Sequence, residues 1–270
     1  MLTRRLVACF DVRDGRLTKA RQFQDNVDVG DPVEFAARLY EDGIDEIVFY
    51  DITASSDRRR IDLGTVERVA ERVFVPFTVG GGLRSVDDMR AVLKAGAEKV
   101  SIDSMAVRDP SLVAAGARAF GSQCVVVSMQ VKAVEPSAAI PSGYEIAIDG
   151  ARHMTGLDAV AWAVRAAELG AGELVVNSID RDGTQAGYDL EITGMVAAAV
   201  NVPVVASGGA GTVRHVAEAF LVADAQAAIV SSMLYSPRLA EHHSVGEMKR
   251  ELAAIGGVQL RPPEEATPLA

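Results

Sequence analysis

Two stretches of the sequence repeat one pattern and decide the fold: V-P-F-T-V-G-G-G at residues 75–82 and V-P-V-V-A-S-G-G at residues 202–209. Each reads as a short buried strand that runs directly into a glycine turn. After each stretch come an amphipathic segment and a second apolar strand, which ends in D-S-M at 103–105 in the first copy and in S-S-M at 231–233 in the second. The repeat indicates that the chain reuses one strand–helix unit.

The same offset extends upstream, where D-G-I-D-E-I-V at 42–48 parallels L-G-A-G-E-L-V at 169–175, 127 positions later. Short runs rich in Val and Ile alternate with amphipathic stretches, as in strands that are covered on both faces. The strand-like runs are 6–10, 46–50, 77–79, 99–102, 124–129, 174–177, 204–206 and 227–230, and helical patterns include 32–42, 86–95, 157–169 and 213–221.

Eight evenly repeated β-α units predict an α/β fold, the (β/α)8 TIM barrel, built from two fused half-barrels at about residues 1–122 and 123–260. A doubly wound sheet is the alternative, but the even repetition favours closure. The main irregularity is an insertion at residues 133–148, where E-I-A-I at 145–148 predicts a β-hairpin. We expect one domain, residues 1–260, and a frayed tail at 261–270, which is rich in Pro and Glu.

The composition excludes several classes of protein. The 270 residues carry a formal net charge of -10, and 49% of them are hydrophobic. This composition is globular and argues against disorder, and an acidic chain is a poor general binder of nucleic acid or of an anionic membrane. The two cysteines, Cys9 and Cys124, lie in apolar runs, and the sequence has neither a signal-peptide pattern nor 18 consecutive apolar residues. We therefore expect a cytoplasmic protein without a disulfide framework.

The two glycine turns lie where a barrel of this type places its active site, at the C-terminal ends of the strands. Because glycine has no side chain, backbone N–H groups there can approach an anion closely. Glycines can also serve only to turn the chain. Two copies, each followed by a strand that ends in serine (Ser104 and Ser232), favour anion binding at both. They predict a small substrate with a phosphate at each end.

Acidic residues also follow the predicted strands. Asp11 ends the first strand and Asp51 the second, while Asp180 and Asp182 follow the sixth. A carboxylate at the end of an apolar run is costly unless it has a partner or a task, so a catalytic role is favoured for Asp11. Asp182 is followed by Gly183, a pair that also forms turns, and a structural role stays open there.

Seven motifs carry a resemblance to a known family over residues 2–258. They are A-C-F-D-V-R-D-G (8–15), G-D-P-V-E (30–34), F-Y-D-I-T-A-S (49–55), V-G-G-G-L-R (79–84), F-G-S-Q-C (120–124), S-I-D-R-D-G-T (178–184) and A-S-G-G-A-G (206–211). The chain resembles the cyclase subunits of imidazole glycerol phosphate synthase, a lyase of histidine biosynthesis. A sister phosphoribosyl isomerase shares the two-phosphate half-barrel, but D-I-T-A-S and F-G-S-Q are typical of the cyclase.

The resemblance implies a reaction and a partner. A glutaminase subunit, in a heterodimer, would supply ammonia to a phosphoribulosyl-formimino aminoimidazole carboxamide ribotide. Attack by ammonia, cyclisation and cleavage would give imidazole glycerol phosphate and aminoimidazole carboxamide ribotide. No cofactor and no metal are implied, and the four scattered histidines form no ligand set.

The resemblance also assigns residues. Asp11 matches the first catalytic acid/base, and Lys19 matches a lysine of the mobile loop after the first strand. The candidate substrate and phosphate ligands, from the resemblance and the glycine turns together, are Lys19, Gly82, Ser104, Asp182, Gly183, Ser207, Gly208, Gly209 and Ser232. Arg5, Glu46, Lys99 and Glu173 match a charged ring at the opposite end of the barrel, through which ammonia enters. Without the resemblance they would read as solvated charges at strand starts.

Two positions depart from the family pattern. The second catalytic aspartate, at the end of the fifth strand, is Gln130 here, and an amide cannot perform general acid/base catalysis. The asparagine of the first phosphate site is Asp103, whose charge would repel a phosphate. Because these positions end adjacent strands, the catalytic carboxylate has either moved to Asp103 or been lost. The alternative function is therefore an impaired paralogue that binds phosphorylated ligand or docks a glutaminase for another pathway.

Overall fold

The Val- and Ile-rich runs form strands in a computed structural model, which describes residues 3–21, 24–52, 61–235 and 242–262. In chain order the strands are β1 (Arg5–Arg13), β2 (Arg16–Arg21), β3 (Gln24–Gly30), β4 (Glu46–Asp51), β5 (Phe77–Gly80), β6 (Lys99–Ile102), β7 (Val125–Ala133), β8 (Tyr144–Ile148), β9 (His153–Asp158), β10 (Glu173–Ser178), β11 (Val204–Ser207) and β12 (Ala227–Ile229). Eight of them, β1, β4, β5, β6, β7, β10, β11 and β12, pair in parallel. Since β12 pairs with β1 and β7 with β10, these eight strands close into the predicted TIM barrel.

Helices follow the barrel strands and cover the outside of the barrel. They are α1 (Pro32–Glu41), α2 (Leu63–Ala70), α3 (Val86–Lys94), α4 (Ser104–Arg108), α5 (Ser111–Phe120), α6 (Ala159–Glu168), α7 (Leu190–Ala199), α8 (Val213–Leu221), α9 (Ser231–Tyr235) and α10 (Val245–Ile255). Several begin at a side-chain cap, such as Asp31 before Pro32 in α1. No helix within the described residues combines the length and apolar character needed to cross a bilayer.

The hydrophobic core has two layers because each barrel strand is covered on both faces. The larger layer lies between the barrel and the helices. The smaller layer fills the barrel interior with side chains from alternate strand positions: Val7, Val48, Val126, Val175, Val205, Ala227 and Ile229. In β1 the alternation places Arg5 below this layer and Asp11 above it. The interior is therefore apolar at mid-height and polar at both ends.

Two antiparallel hairpins extend the barrel strands at the C-terminal end. The E-I-A-I pattern correctly predicts β8, which pairs with β7 and β9. The segment around Lys19, expected to be a loop, instead forms β2 and β3, which extend β1. The physical reason is the pair Asp14 and Gly15, whose φ angles of 50° and 72° make the tight two-residue turn that joins twisted strands.

The two ends of the chain are joined at one buried carboxylate. Asp45 Oδ1 accepts hydrogen bonds from Lys249 Nζ at 2.6 Å and from Arg261 Nε at 3.1 Å, and Asp45 Oδ2 accepts one from the Leu6 N–H at 2.9 Å. Lys249 also donates to the carbonyl of Gly43 at 2.7 Å. Arg261 is thus tied to the barrel, whereas residues 263–270 of the predicted tail lie outside the described residues.

Candidate active site

A cavity of about 620 Å³, here named the mouth cavity, opens at the C-terminal ends of the barrel strands. Nine residues proposed from the sequence line it: Asp11, Asp103, Ser104, Gln130, Asp182, Ser207, Gly208, Gly209 and Ser232. They come from both halves of the chain. The volume is in the range of small-molecule sites, so the mouth cavity can hold a substrate of that class.

A second cavity of about 390 Å³, here named the side pocket, adjoins the first. Gly82 lines the side pocket, and Asp103, Ser104 and Asp149 line both cavities. Gly183 lines neither cavity and lies in the turn after β10, with a φ of 66°. The backbone of Lys19 lies in β2, but its side chain is outside the described part of the structure.

Close packing of the backbone requires glycine at two of the strand-end turns, whether or not an anion binds there. Gly81 and Gly209 have φ angles of 92° and 103°. A Cβ atom at Gly81 would lie 2.3 Å from the carbonyl oxygen of Asp51, and one at Gly209 would lie 2.1 Å from that of Gly187. Because packing alone explains these glycines, support for phosphate binding must come from the serines and the cavities.

The serines at the strand ends have different environments. Ser104 is buried, and its Oγ accepts a hydrogen bond from the Asp149 N–H at 2.9 Å. Ser231 is also buried, and its Oγ bonds both the N–H and the carbonyl of Cys9, at 2.7 and 2.8 Å. Ser231 therefore ties α9 to β1, whereas the next residue, Ser232, faces the mouth cavity.

Two aspartates at the cavity have pKa values that shift in opposite directions. Asp103 is half-buried and caps α4 by accepting the Ser104 N–H at 2.5 Å. Burial raises the pKa of Asp103, with a smaller contribution from the charge of Asp149, and these outweigh the hydrogen bond from Ser104. The pKa of Asp149 is lowered, chiefly by its hydrogen bonds with Arg108. Asp103 is therefore the more readily protonated carboxylate of the two.

A chain of amides and hydroxyls orients Gln130. Asn177 Nδ2 donates to Gln130 Oε1 at 3.0 Å, and Ser207 Oγ donates to Asn177 Oδ1 at 2.8 Å. With its oxygen occupied by Asn177, the Gln130 amide offers its NH2 group as a donor. The residue can thus hold and orient a substrate, but it cannot take up a proton.

The other acids at this end divide into two kinds. Asp180 bonds the ammonium group of Lys132 and accepts the Ala133 N–H at 3.0 Å, so it fastens the turn after β10 to β7. Asp180 lines neither cavity. Asp51 and Asp182 both line the mouth cavity, and Asp51 is buried.

Four charged side chains form a ring inside the barrel at its N-terminal end. Arg5 bonds Glu46 at 2.5 Å and also bonds Glu173, while Lys99 bonds Glu46 at 2.7 Å and Glu173 at 2.9 Å. Burial raises the pKa of Glu173, but Arg5 and Lys99 outweigh it, and the net pKa lies below its usual value. The ring is a closed set of alternating charges, so these residues are not freely solvated.

Sequence reasoning missed several residues of the site. Asn177 has a detectable signal, because it lies near the C-terminal end of the sixth barrel strand, β10, in register with Gln130. Asp149 and Arg152 reach the mouth cavity from the turn between β8 and β9, and Arg108 reaches the side pocket from the last turn of α4. None of these three residues directly follows a barrel strand, so a search for polar residues at strand ends could not identify them.

Comparisons with known proteins agree with this architecture. A profile of the family described as "Histidine biosynthesis protein" matches residues 5–240. The imidazole glycerol phosphate synthase subunit HisF of Syntrophobacter fumaroxidans is 57% identical over 235 residues, which cover 87% of this chain and 91% of the relative. The subunits of the same name from Desulfovibrio desulfuricans and Nitratidesulfovibrio vulgaris are 58% and 54% identical over 256 residues, covering 95% of this chain and 97% of each relative. The chain therefore belongs to the histidine biosynthesis protein family and, within it, to the HisF subunits of imidazole glycerol phosphate synthase.

Proposed function

We propose that this chain is the cyclase subunit of imidazole glycerol phosphate synthase and performs the ammonia-dependent ring closure of histidine biosynthesis. Its substrate is the phosphoribulosyl-formimino aminoimidazole carboxamide ribotide, which has a phosphate at each end. Ammonia adds to the substrate, and loss of water, cyclisation and cleavage give imidazole glycerol phosphate and aminoimidazole carboxamide ribotide. Each of these steps moves a proton, so the site needs groups that exchange protons.

One observation carries this proposal. Asp11 lines a single mouth cavity together with Ser104 from the first half of the chain and Ser232 from the second. Gly82 lines the side pocket together with Ser104, and Gly209 lines the mouth cavity together with Ser232. A cavity that is lined by serines from both halves of the chain and by a carboxylate suits a substrate that carries two phosphates.

The second proton-exchanging group is assigned to Asp103. Asp103 directly follows β6 and Gln130 lies in the neighbouring strand β7, and both line the mouth cavity. Burial raises the pKa of the Asp103 carboxyl, and a carboxyl group can exchange a proton with a substrate, which the Gln130 amide cannot do. In this proposal Asp11 and Asp103 form the acid/base pair, and Gln130 positions the substrate.

The charged ring and its surroundings support a glutaminase partner. The ring lies at the N-terminal end of the barrel, and the apolar layer of Val7 and Val48 separates it from the mouth cavity. At the same end, Phe74 is 71% exposed just before β5, and Val222 is 68% exposed just after α8. Exposed apolar side chains around a polar inlet suit a partner that delivers ammonia into the barrel.

Purified chain should convert the ribulosyl substrate when ammonium salt is the nitrogen source. Turnover is followed by the release of aminoimidazole carboxamide ribotide. The same gene should restore growth without histidine to a strain that lacks the cyclase. With a histidine-type glutaminase added, glutamine should replace ammonium. Tight substrate binding without turnover, and no rescue of growth, would instead identify the impaired paralogue.

A further inference from the structure

The turn between β8 and β9 is fastened to α4 by two contacts. The Arg108 guanidinium bonds both carboxylate oxygens of Asp149: Nη1 donates to Oδ1 at 2.7 Å, and Nη2 donates to Oδ2. The Asp149 N–H donates to Ser104 Oγ at 2.9 Å. We call this arrangement of Arg108, Asp149 and Ser104 the latch.

The latch lies inside the proposed binding region. All three of its residues line the side pocket, and Ser104 and Asp149 also line the mouth cavity. Asp149 is the more buried partner of the ion pair, with 23% of its side chain exposed against 45% for Arg108. The paired N–H groups of the Arg108 guanidinium therefore face Asp149, at the edge of the side pocket.

The chemistry of the latch is that of an anion site. A guanidinium binds carboxylates and phosphates with the same two-pronged geometry, because both present paired oxygens to its parallel N–H donors. While Asp149 holds Arg108, the two charges cancel. If the Asp149 carboxylate leaves, the Arg108 guanidinium becomes available to another anion next to the hydroxyl of Ser104, and Asp103 is then the carboxyl group that still interacts with it across the side pocket.

The backbone of the turn can supply the movement. Asp149, Gly150 and Ala151 are consecutive residues with φ angles of 58°, 64° and 65°. For non-glycine residues this left-handed conformation costs about 1–2 kcal/mol each. The contacts of Asp149 with Arg108 and Ser104 compensate for this cost, so loss of those contacts frees the turn to adopt another conformation.

We propose that Arg108 is a further phosphate-binding residue of this enzyme, and that Asp149 occupies its guanidinium until a substrate phosphate displaces the carboxylate. Displacement also breaks the bond from Asp149 to Ser104, so the turn moves when the phosphate binds. The inference rests on the proposed function only for the identity of the anion as a phosphate of the substrate.

Equilibrium binding of inorganic phosphate to the full chain, measured by titration calorimetry, tests the inference without turnover. Asp149→Asn should tighten binding at one site by about tenfold, because the competing charge is gone. Arg108→Gln should weaken it by about tenfold or more, the equivalent of one charge-assisted hydrogen bond. The variant Glu34→Gln is a matched control, because Glu34 pairs with Arg72 at 2.6 Å, and Arg72 is 44% exposed. It should bind phosphate like the unchanged chain.

Amide hydrogen exchange provides the second readout. Phosphate should accelerate exchange at residues 149–151, since the Asp149 N–H loses its acceptor. Slower exchange with phosphate bound, or an Asp149→Asn variant that binds phosphate no more tightly, would show that the ion pair is only a structural clamp and would overturn the proposal.

Kinetics separate this inference from the proposed function. In ammonium-dependent turnover, Arg108→Gln should raise KM for the ribulosyl substrate with little change in kcat, as for a contact made equally in ground and transition states. If the chain shows no turnover but the phosphate results hold, the function fails and the latch stands. If turnover is normal and the phosphate results fail, the latch alone is wrong.

Discussion

Around the mouth cavity, chemically identical aspartates differ in proton affinity because their partners differ. Asp149 faces a guanidinium and has a lowered pKa. Asp103 lies at the start of α4, whereas Asp149 contacts Arg108 at the end of this helix. Asp103 has no equally strong cationic partner, and burial raises its pKa. Of these two carboxyl groups, Asp103 therefore holds a proton more readily, which supports its proposed role beside Asp11.

Asp103→Asn should lower ammonium-dependent turnover by at least about 100-fold, the typical contribution of a positioned acid or base. Adding Gln130→Asp to that variant should restore turnover by tenfold or more, because an aspartate at 130 can still accept the Asn177 hydrogen bond. Steady-state rates with saturating ammonium measure both effects. Asp87→Asn, at an exposed position of α3, is the control and should turn over normally. An Asp103→Asn variant with normal turnover would exclude this residue as the acid.

Among individual residues, the sequence predicted those that lie at the C-terminal ends of the barrel strands. Nine of the proposed residues line the mouth cavity, since parallel strands place their C-terminal ends at one edge. Side chains that arrive from outside this pattern were not predictable, and Arg108 and Asp149 are the clearest cases. Their contact joins residues that are 41 positions apart on a helix end and a hairpin turn. Lys19 and Gly183 stay predictions, and so do the catalytic roles.

Among the secondary-structure elements, the two hairpins extend strands that line the mouth cavity. β2 and β3 extend β1 just beyond Asp11, and Thr18 Oγ1 donates to the carbonyl of Asp11 at 3.0 Å. β8 and β9 extend β7 just beyond Gln130, where Gln130 pairs with Ala147. Each hairpin therefore lies next to one of the strand ends that line the mouth cavity.

Ala151→Gly should stabilise the chain by about 0.5–1 kcal/mol. The left-handed conformation at a φ of 65° costs alanine more than glycine, and part of that gain is lost to the greater freedom of glycine in the unfolded chain. Urea unfolding gives the free energy of unfolding of each variant. Ala114→Gly in α5 is the matched control and should destabilise by about 1 kcal/mol. A loss of stability at Ala151 equal to that at Ala114 would contradict the strain assigned to the turn.

The elements were predictable to different degrees. Continuous Val- and Ile-rich runs indicated all eight barrel strands, because strands covered on both faces carry a strong apolar signal. The alternation of E-I-A-I indicated β8. The hairpin of β2 and β3 has only a weak apolar alternation, and its remaining signal is Asp14 followed by Gly15. The half-barrel repeat stays a prediction.

For the whole molecule, the barrel interior connects two polar ends through one apolar layer. Arg5, Glu46, Lys99 and Glu173 occupy the N-terminal end, and the acids of the mouth cavity occupy the other. Glu173 contributes to the stability of the ring while its carboxylate is ionised. Its contribution should therefore depend on pH.

Glu173→Gln should destabilise the chain by about 2–4 kcal/mol at pH 7, because Arg5 and Lys99 keep their charges but lose one of two carboxylates. The folded-state pKa of Glu173 lies below its ordinary value of 4.5, so its contribution is present above pH 4.5. That contribution is lost as the pH falls through the lowered pKa. The difference between the two proteins in unfolding free energy should thus shrink at acid pH.

Thermal or urea unfolding at several pH values between 3 and 7 measures this difference. Glu168→Gln is a suitable control, since Glu168 pairs with Arg165 on the surface of α6 at 3.2 Å. Exposed pairs of this kind contribute about 0–1 kcal/mol. A Glu173→Gln penalty that stays constant down to pH 3 would contradict the assigned pKa direction.

The buried carboxylate of Asp45 has a consequence for how the polypeptide is made. Its partner Lys249 is 204 positions away, and Arg261 is 216 positions away. β1 likewise meets its neighbour β12 only after most of the chain exists. During synthesis β1 therefore has one unpaired edge until β12 has left the ribosome. Closure of the barrel is a late step that depends on contacts distant in sequence. Until β12 is made, one edge of β1 lacks the partner it has in the folded barrel, and an unpaired strand edge is a site where a chaperone or a neighbouring nascent chain can bind.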